Sequence, residues 1–441
     1  MSALFLLLIV AVPALRAMIV SDRDDKVAFF ALMLLFGSTA LICLWFVNEA
    51  LPFTTIGDDY AYFDASVRKL SGVGEWFDLR QFQDTHAQAG YPLLLSWVHQ
   101  FCGRSLFDRK ALNLGFFLLL APVWYEIGRA IGGRRVAFAF ATAVLLCTPL
   151  WSYWLFLLKD MVVVLLQSLL LLGLVNVLSG ARGAKGYRIV LLSTVLIIPF
   201  RSFLALMNGV LLFAASLLPA GAPKKTSRLG RLVIACVVIG MLFVVDQTPA
   251  MKETLGVYDE SGGHDYSSLT TQIAQRREER DPKLSNPMWF ALNYFVAEVA
   301  AFNPESYRSL NSELIRALTM VPWIYFGLPL FLSGAWMILF KRSAGFVPRR
   351  VCSARVGHSK ADALARPHRL CLLLLAFVGG YGVIGWITGD TTRWRMPSMP
   401  AMIAVAAFAW CSMTSLSRNL LLAAWGVALS IAFVGYYTLV K

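Results

Sequence analysis

Residues 27–66 read "VAFFALMLLFGSTALICLWFVNEALPFTTIGDDYAYFDAS". Between Lys26 and Glu49 no residue is charged. Coiled as an α-helix, that run rises about 33 Å, enough to cross the hydrocarbon of a bilayer. Asp58 and Asp59 follow within ten residues, at the head of a segment in which aromatic and polar residues alternate. The stretch therefore reads as a membrane crossing that delivers two adjacent carboxylates to the lipid–water boundary.

The rest of the chain repeats the first half of that pattern. Of 441 residues, 58% are hydrophobic and 15% are charged, where a soluble domain carries about a quarter charged residues. Apolar runs fall at 2–19, 27–49, 106–128, 135–151, 160–178, 188–203, 204–219, 230–247, 320–340, 370–388, 397–416 and 419–439. The expected fold is an all-α polytopic membrane protein of about 11–12 spans. It forms a single transmembrane domain, 1–441, with insertions at 50–105 and 248–319. More spans follow the first run, so it is not a cleaved leader. Arg16 within it predicts a short or tilted crossing.

Net charge is +14, carried largely by loops. "RAIGGRR" (129–135), "SGARGAKGYR" (179–188), "PAGAPKKTSRLGR" (219–231) and the segment 341–369 are all basic. Counting spans puts all four on one side, which the positive-inside rule makes cytoplasmic. The charge thus belongs to a membrane and not to nucleic acid. The two long insertions fall on the opposite, outer side. Seven Cys are scattered without a CxxC, so neither a disulfide framework nor a thiolate metal site is expected.

Candidate functional residues lie at outer boundaries. "GDDYAYFDASVRKL" (57–70) spaces Tyr60, Phe63, Val67 and Leu70 along one helical stripe, predicting an amphipathic helix on the membrane face. Asp58 and Asp59 stand at its N-terminus, where an acidic start is ordinary but a base held at headgroup level is also useful. Asp64 and Arg68, four apart, read as a structural pair. His86 precedes a second short apolar helix opened by Pro92. Lys159 and Asp160 begin a span; their ordinary reading is a snorkelling pair. Arg201 sits between two apolar runs beside the helix breaker Pro199, at a depth where a guanidinium needs an anion or a cavity. Arg393 and Arg395 oppose the usual bias of outer loops and suit a phosphate. They are two positions apart, so only one of them can point inward.

The order of these features is similar to the GT-C class of integral-membrane glycosyltransferases. It resembles most closely the bacterial proteins akin to protein O-mannosyltransferases and the lipid A aminoarabinose transferase. The likeness runs over 50–205 and 370–416 on "GDDYAYFDAS", "HAQAGYPLLLSWVHQFCGRSLFDRKALNLG", "GRAIGGRR", "TPLWSYWLFLLKD" and "RWRMPSMPAM". It implies a GT-C-like bundle and sugar transfer from a polyprenyl-phosphate donor to a glycan, lipid or protein acceptor. The bacterial cytoplasmic membrane would hold it, with the site on the periplasmic side. By that resemblance Asp58 is the base or acceptor-positioning acid, with Asp59 beside it and Asp160 as the second outer acid. His86 falls on the basic residue ahead of the "YP" step, and Arg393 or Arg395 on the late arginine. This chain departs from the class in an extra N-terminal span and in showing no large soluble C-terminal domain.

The expected reaction is an inverting displacement. Asp58, Asp59 and Asp160 are the catalytic set, and His86, Lys159, Arg201, Arg393 and Arg395 bind substrate. The one cofactor this reading admits is a divalent cation, magnesium or manganese, on Asp58 and Asp160. Two other functions compete. An outer-face polysaccharide polymerase or O-antigen ligase would be dominated by arginines and use the 248–319 loop. A lipid or sugar flippase would need ionisable residues at mid-membrane and paired repeats, neither of which the sequence shows.

Overall fold

The computed structural model describes residues 2–53, 58–67, 90–179, 183–217, 290–291, 294–295, 312–340, 360–388 and 395–440. Every regular element among them is helical. Five helices are long and apolar enough to cross a membrane, and three shorter apolar ones accompany them: Pro367–Val383, Met396–Ser412 and Ser415–Ile431. The chain is an all-α protein with the helices of a membrane protein.

Helices α1 (Ser2–Val20) and α2 (Lys26–Ala50) match the first two apolar runs. Arg16 does not shorten α1. Its guanidinium meets Glu126 on α5 at 2.5 Å, so the charge is answered within the bundle. Both helices keep one broad apolar face exposed, with Leu7, Ile19, Leu35 and Phe46 outermost, as lipid contact requires. Helices α3 (Asp58–Val67) and α4 (Gly90–Cys102) are too short to span.

Helix α5 (Leu106–Leu145) is a hairpin of two helices broken at Gly132 and Gly133. Gly133 adopts φ 76°, left-handed backbone that glycine enters without steric cost. The arms then pack so closely that a Cβ on Gly128 would lie 2.8 Å from Ala137 Cα. The predicted loop "RAIGGRR" is this turn. The expected span 135–151 is corrected, however: the second arm ends at Leu145, about 18 Å after the turn, and a 3₁₀ turn at Thr148–Leu150 and α6 (Trp151–Leu155) follow. Pro149 and the Leu-rich run after it gave this segment an apolar signal without helical continuity.

Helix α7 (Asp160–Ser179) is buried on nearly all sides and forms the centre of the bundle. Helix α8 (Gly183–Leu217) returns against it. The two expected runs at 188–203 and 204–219 join in this element, which breaks at Arg201 (φ −158°, ψ 87°), two residues after Pro199. A Cβ on Gly173 would sit 2.9 Å from the Gly186 carbonyl oxygen, so the two backbones touch, as small residues permit between membrane helices. The apolar run 230–247 and most of 248–319 lie outside the described residues.

The later helices are α9 (Ser312–Pro322), a π-helical turn at Trp323–Gly327, α10 (Leu328–Phe340), α11 (Lys360–Thr388), α12 (Met399–Ser412) and α13 (Ser415–Val440). Trp425 on α13 donates its indole N–H to the Ile324 carbonyl in the π turn, at 2.9 Å, supplying a partner where the regular ladder is interrupted.

The two ends of the bundle differ in chemistry. At one end the α1–α2 turn grips the α5 hairpin. Arg134 pairs with Asp24 (2.7 Å) and Asp25 (2.8 Å), Arg129 with Asp22 (3.1 Å), and Tyr125 Oη donates to Asp25 (3.0 Å). Carboxylates here balance the basic residues. The other end holds α3, α4, the starts of α5 and α7, and the break in α8.

Candidate functional site

The site at that second end is built from the start of α5. Ser105 caps the helix, its Oγ accepting from the Asp108 N–H at 3.2 Å, an ordinary N-cap. Asp108 accepts in turn from the Ser2 hydroxyl at 2.8 Å. Arg109, Lys110 and Asn113 follow, all with 0% exposure. Lys110 Nζ donates to the Leu51 carbonyl, 3.3 Å away at the end of α2, where helix carbonyls lack intrahelical partners.

Asn113 organises the irregular chain between α5 and α7. Its Nδ2 donates to the carbonyls of Phe156 (3.0 Å) and Leu158 (2.9 Å), with Tyr153 at 3.4 Å, and its Oδ1 accepts from Tyr91 Oη on α4 (3.0 Å). Non-helical backbone buried at membrane depth must find donors within the protein, and one amide serves three carbonyls. That pinning delivers Lys159 and Asp160 to a fixed place.

Asp160 opens α7, and Arg201 Nη2 meets its Oδ1 at 2.5 Å. Both side chains are buried. The ordinary reading of Asp160 as the snorkelling partner of Lys159 at a surface is therefore replaced. Its partner is Arg201, 41 positions on, and the break in α8 aims the guanidinium inward. Gly90 helps set that break, since a Cβ there would stand 2.7 Å from the Pro199 carbonyl oxygen.

Helix α3 lies over these groups. The Tyr62 ring sits 5.7 Å from Lys159 Nζ and packs edge-on against Tyr91, and the Phe63 ring lies 4.6 Å from the Arg109 guanidinium carbon. Of the predicted amphipathic stripe, Tyr60 is exposed and Phe63 and Val67 are half-buried. Ala65 and Ser66 are the buried positions of α3, while Tyr60 is 56% exposed. The helix turns a small-residue face to α4, and Ser96 Oγ reaches the Ser66 carbonyl at 3.3 Å. Asp58 and Asp59 occupy the turn before Tyr62 and Phe63; their side chains lie outside the described part of the chain, as does Leu70.

A neighbouring crevice is lined by Pro149, Ser152, Tyr153, Arg316, Met320, Arg395 and Met396. Arg395 is 2% exposed and immediately precedes a 3₁₀ turn, Met396–Ser398, that leads into α12. Ser398 Oγ donates to the Arg395 carbonyl (2.7 Å) and shares a 2.8 Å bond with Tyr294 Oη. Burial pushes the Tyr294 phenol well above its usual range, so it stays neutral, and its one O–H serves either Ser398 Oγ or the Val378 carbonyl, 3.2 Å away.

Of the sequence-derived candidates, Lys159, Asp160 and Arg201 gather at one place, with Arg395 at the same end of the bundle. His86 and Arg393 lie outside the described residues. Three cations that sequence reasoning passed over belong to this end: Arg109, Lys110 and Arg316. The signal for the first two was present, a pair of basic residues inside "LFDRKALNLG" at the mouth of an apolar helix. It reads there as a headgroup anchor, and only their complete burial separates the two roles.

Of the two residues expected to hold a metal, Asp160 is paired with Arg201 and the Asp58 side chain lies outside the described residues. A dication on Asp160 would stand against the guanidinium charge. Among the described residues no three His, Cys, Asp or Glu side chains gather as a metal would need. No protein-family model, curated protein or solved structure matches the chain.

Proposed function

We propose that the chain is a GT-C-like glycosyltransferase of the bacterial cytoplasmic membrane, taking its sugar from a polyprenyl phosphate at the outer face. One observation supports this most: Arg109, Lys110, Lys159, Arg201, Arg316 and Arg395 are carried to one end of the bundle, five of them buried and Arg316 lining the crevice. Among the buried side chains of this end cations outnumber carboxylates, of which Asp108 and Asp160 are buried, and such an excess at the edge of a membrane domain is suited to an anionic headgroup. The short helix that begins with Asp58 and Asp59 lies over Arg109 and Lys159 of this set. The basic loops favour a cytoplasmic position for the opposite end.

In this reading the acceptor hydroxyl oxygen attacks the anomeric carbon as the carbon–oxygen bond to the lipid phosphate breaks, inverting the configuration. Asp58 receives the hydroxyl proton, and Asp59 orients the acceptor. Arg395 neutralises the charge that develops on the departing phosphate. His86 and Arg393 are assigned to substrate binding on the resemblance alone. Asp160 is a positioning residue that holds the Arg201 guanidinium in place.

A second reading draws on the same observation. A site ruled by arginine and lysine also suits an O-antigen ligase or polysaccharide polymerase, which handles lipid pyrophosphate. Transfer assays in membranes with a polyprenyl-phosphate sugar test the first reading. Asp58→Asn should lower the rate about a hundredfold or more with the protein still inserted. Arg395→Ala should weaken donor binding. Full activity in Asp58→Asn would remove the base and turn the reading toward the ligase.

A further inference from the structure

The buried carboxylates of the described chain each have a partner. Asp25 is held by Tyr125 and Arg134, Asp108 by Ser2, and Asp160 by Arg201. Arg109 is different. Its exposure is 0%, yet Nε and Nη2 make no hydrogen bond. Among the described residues no carboxylate stands within ion-pair distance of it. Its remaining nitrogen, Nη1, has one long bond of 3.4 Å to the Arg104 carbonyl. Phe63 covers one face of the guanidinium.

The chemistry of the open edge is specific. Nε and Nη2 carry the two parallel N–H bonds that grip two oxygens of one phosphate or carboxylate. A buried charge with that edge unmatched is costly unless a ligand supplies the oxygens. Asp108 precedes Arg109 in the chain and Lys110 follows it, so the adjoining charges are mixed; the match to phosphate comes from the paired N–H bonds of the guanidinium edge itself.

We propose that Arg109 anchors a phosphate oxyanion in a site between α3 and the start of α5, and that α3 is the element that covers it. Helix α3 has ten residues. It packs on the body through Tyr62, Phe63 and the buried Ala65 and Ser66, and its displacement uncovers the guanidinium face that Phe63 shields. The site follows from Arg109 itself. Only the identification of the phosphate as a lipid headgroup rests on the glycosyltransferase reading.

The test is thermal unfolding of the full chain in detergent with inorganic phosphate or farnesyl phosphate, against chloride at equal ionic strength. Wild type should be stabilised by at least one of them. Arg109→Met should weaken that binding roughly ten- to a hundredfold, while the ligand-free variant is at least as stable as wild type, because an unmatched buried charge has gone. Arg109→Lys keeps the charge without the fork; it should lose affinity too, and it serves if the Met variant does not fold. Stabilisation by farnesyl phosphate alone marks a lipid headgroup, and by both probes a site open to free phosphate. If farnesyl phosphate stabilises wild type and both variants alike, the Arg109 site is overturned and the lipid-phosphate reading stands. If inorganic phosphate acts through Arg109 and farnesyl phosphate does not, the site stands and the reading falls. No stabilisation by either probe overturns both.

Discussion

Asp160 and Arg201 show how a buried pair differs from two exposed charges. Each has been taken out of water, and their contact at 2.5 Å offsets that cost only while both are present. Replacing one leaves the other charge buried without this ion pair, which destabilises by about 3–5 kcal/mol. Asp160→Asn should therefore unfold at much lower denaturant than wild type. The double variant Asp160→Asn with Arg201→Met should recover a large part of the loss, and a purely additive result in that cycle would show that the pair is not coupled. Asn113 is a second such residue. It is the donor to the carbonyls of Phe156 and Leu158. Asp at this position offers no N–H at all, so Asn113→Asp should cost roughly 2–5 kcal/mol through orphaned carbonyls and an added buried charge. Chemical denaturation would measure it; a loss under 1 kcal/mol would mean that the 146–159 chain is held by other bonds.

At the scale of elements, the α5 hairpin depends on backbone that few residues adopt. Gly133 has φ 76° with nothing within 4 Å of a prospective Cβ. Gly133→Ala should thus cost only the conformational term, about 1–2 kcal/mol, seen as a lower unfolding midpoint with unchanged helix content. Gly173 and Gly186 are limited by space instead. Any side chain there pushes α7 from α8, and because Asp160 and Arg201 sit on those two helices, Gly173→Val should disturb the site as well as the packing. The α5 turn was legible because "GG" flanked by arginines interrupts two apolar runs. The early end of its second arm was not, because Leu, Trp and Phe at 150–158 look the same to a hydropathy reading whether they extend a helix or fold back over one.

The whole molecule is polarised between an end where carboxylates balance the basic residues and an end where buried cations prevail. The orientation in the membrane that loop charge predicts has a direct readout. In a variant with the native cysteines replaced, Tyr60→Cys on α3 should react with an impermeant thiol reagent in intact cells, since Tyr60 is 56% exposed. Asp24→Cys should react only after permeabilisation. The reverse pattern would turn the molecule over and place the cationic end in the cytoplasm, where a polyprenyl-phosphate sugar for outer-face transfer has no role.

Sequence by itself determined the class of the fold. Hydrophobic length is a local property, and a bilayer of fixed thickness converts it into spanning helices without help from the rest of the chain. The breaks at Gly132–Gly133 and near Pro199 were fixed in the same way, by residues that disfavour helix wherever they stand. Charge pairing could be decided only by the tertiary structure. Asp160 adjoins Lys159 in the chain but pairs with Arg201, because the return of α8 along α7 brings position 201 beside position 160. Arg109 reads as a surface anchor by its neighbours in sequence, and burial beneath α3 makes it a charge in need of a ligand. The solvation of an ionised group depends on everything packed around it, and that packing comes from helices far apart in the chain.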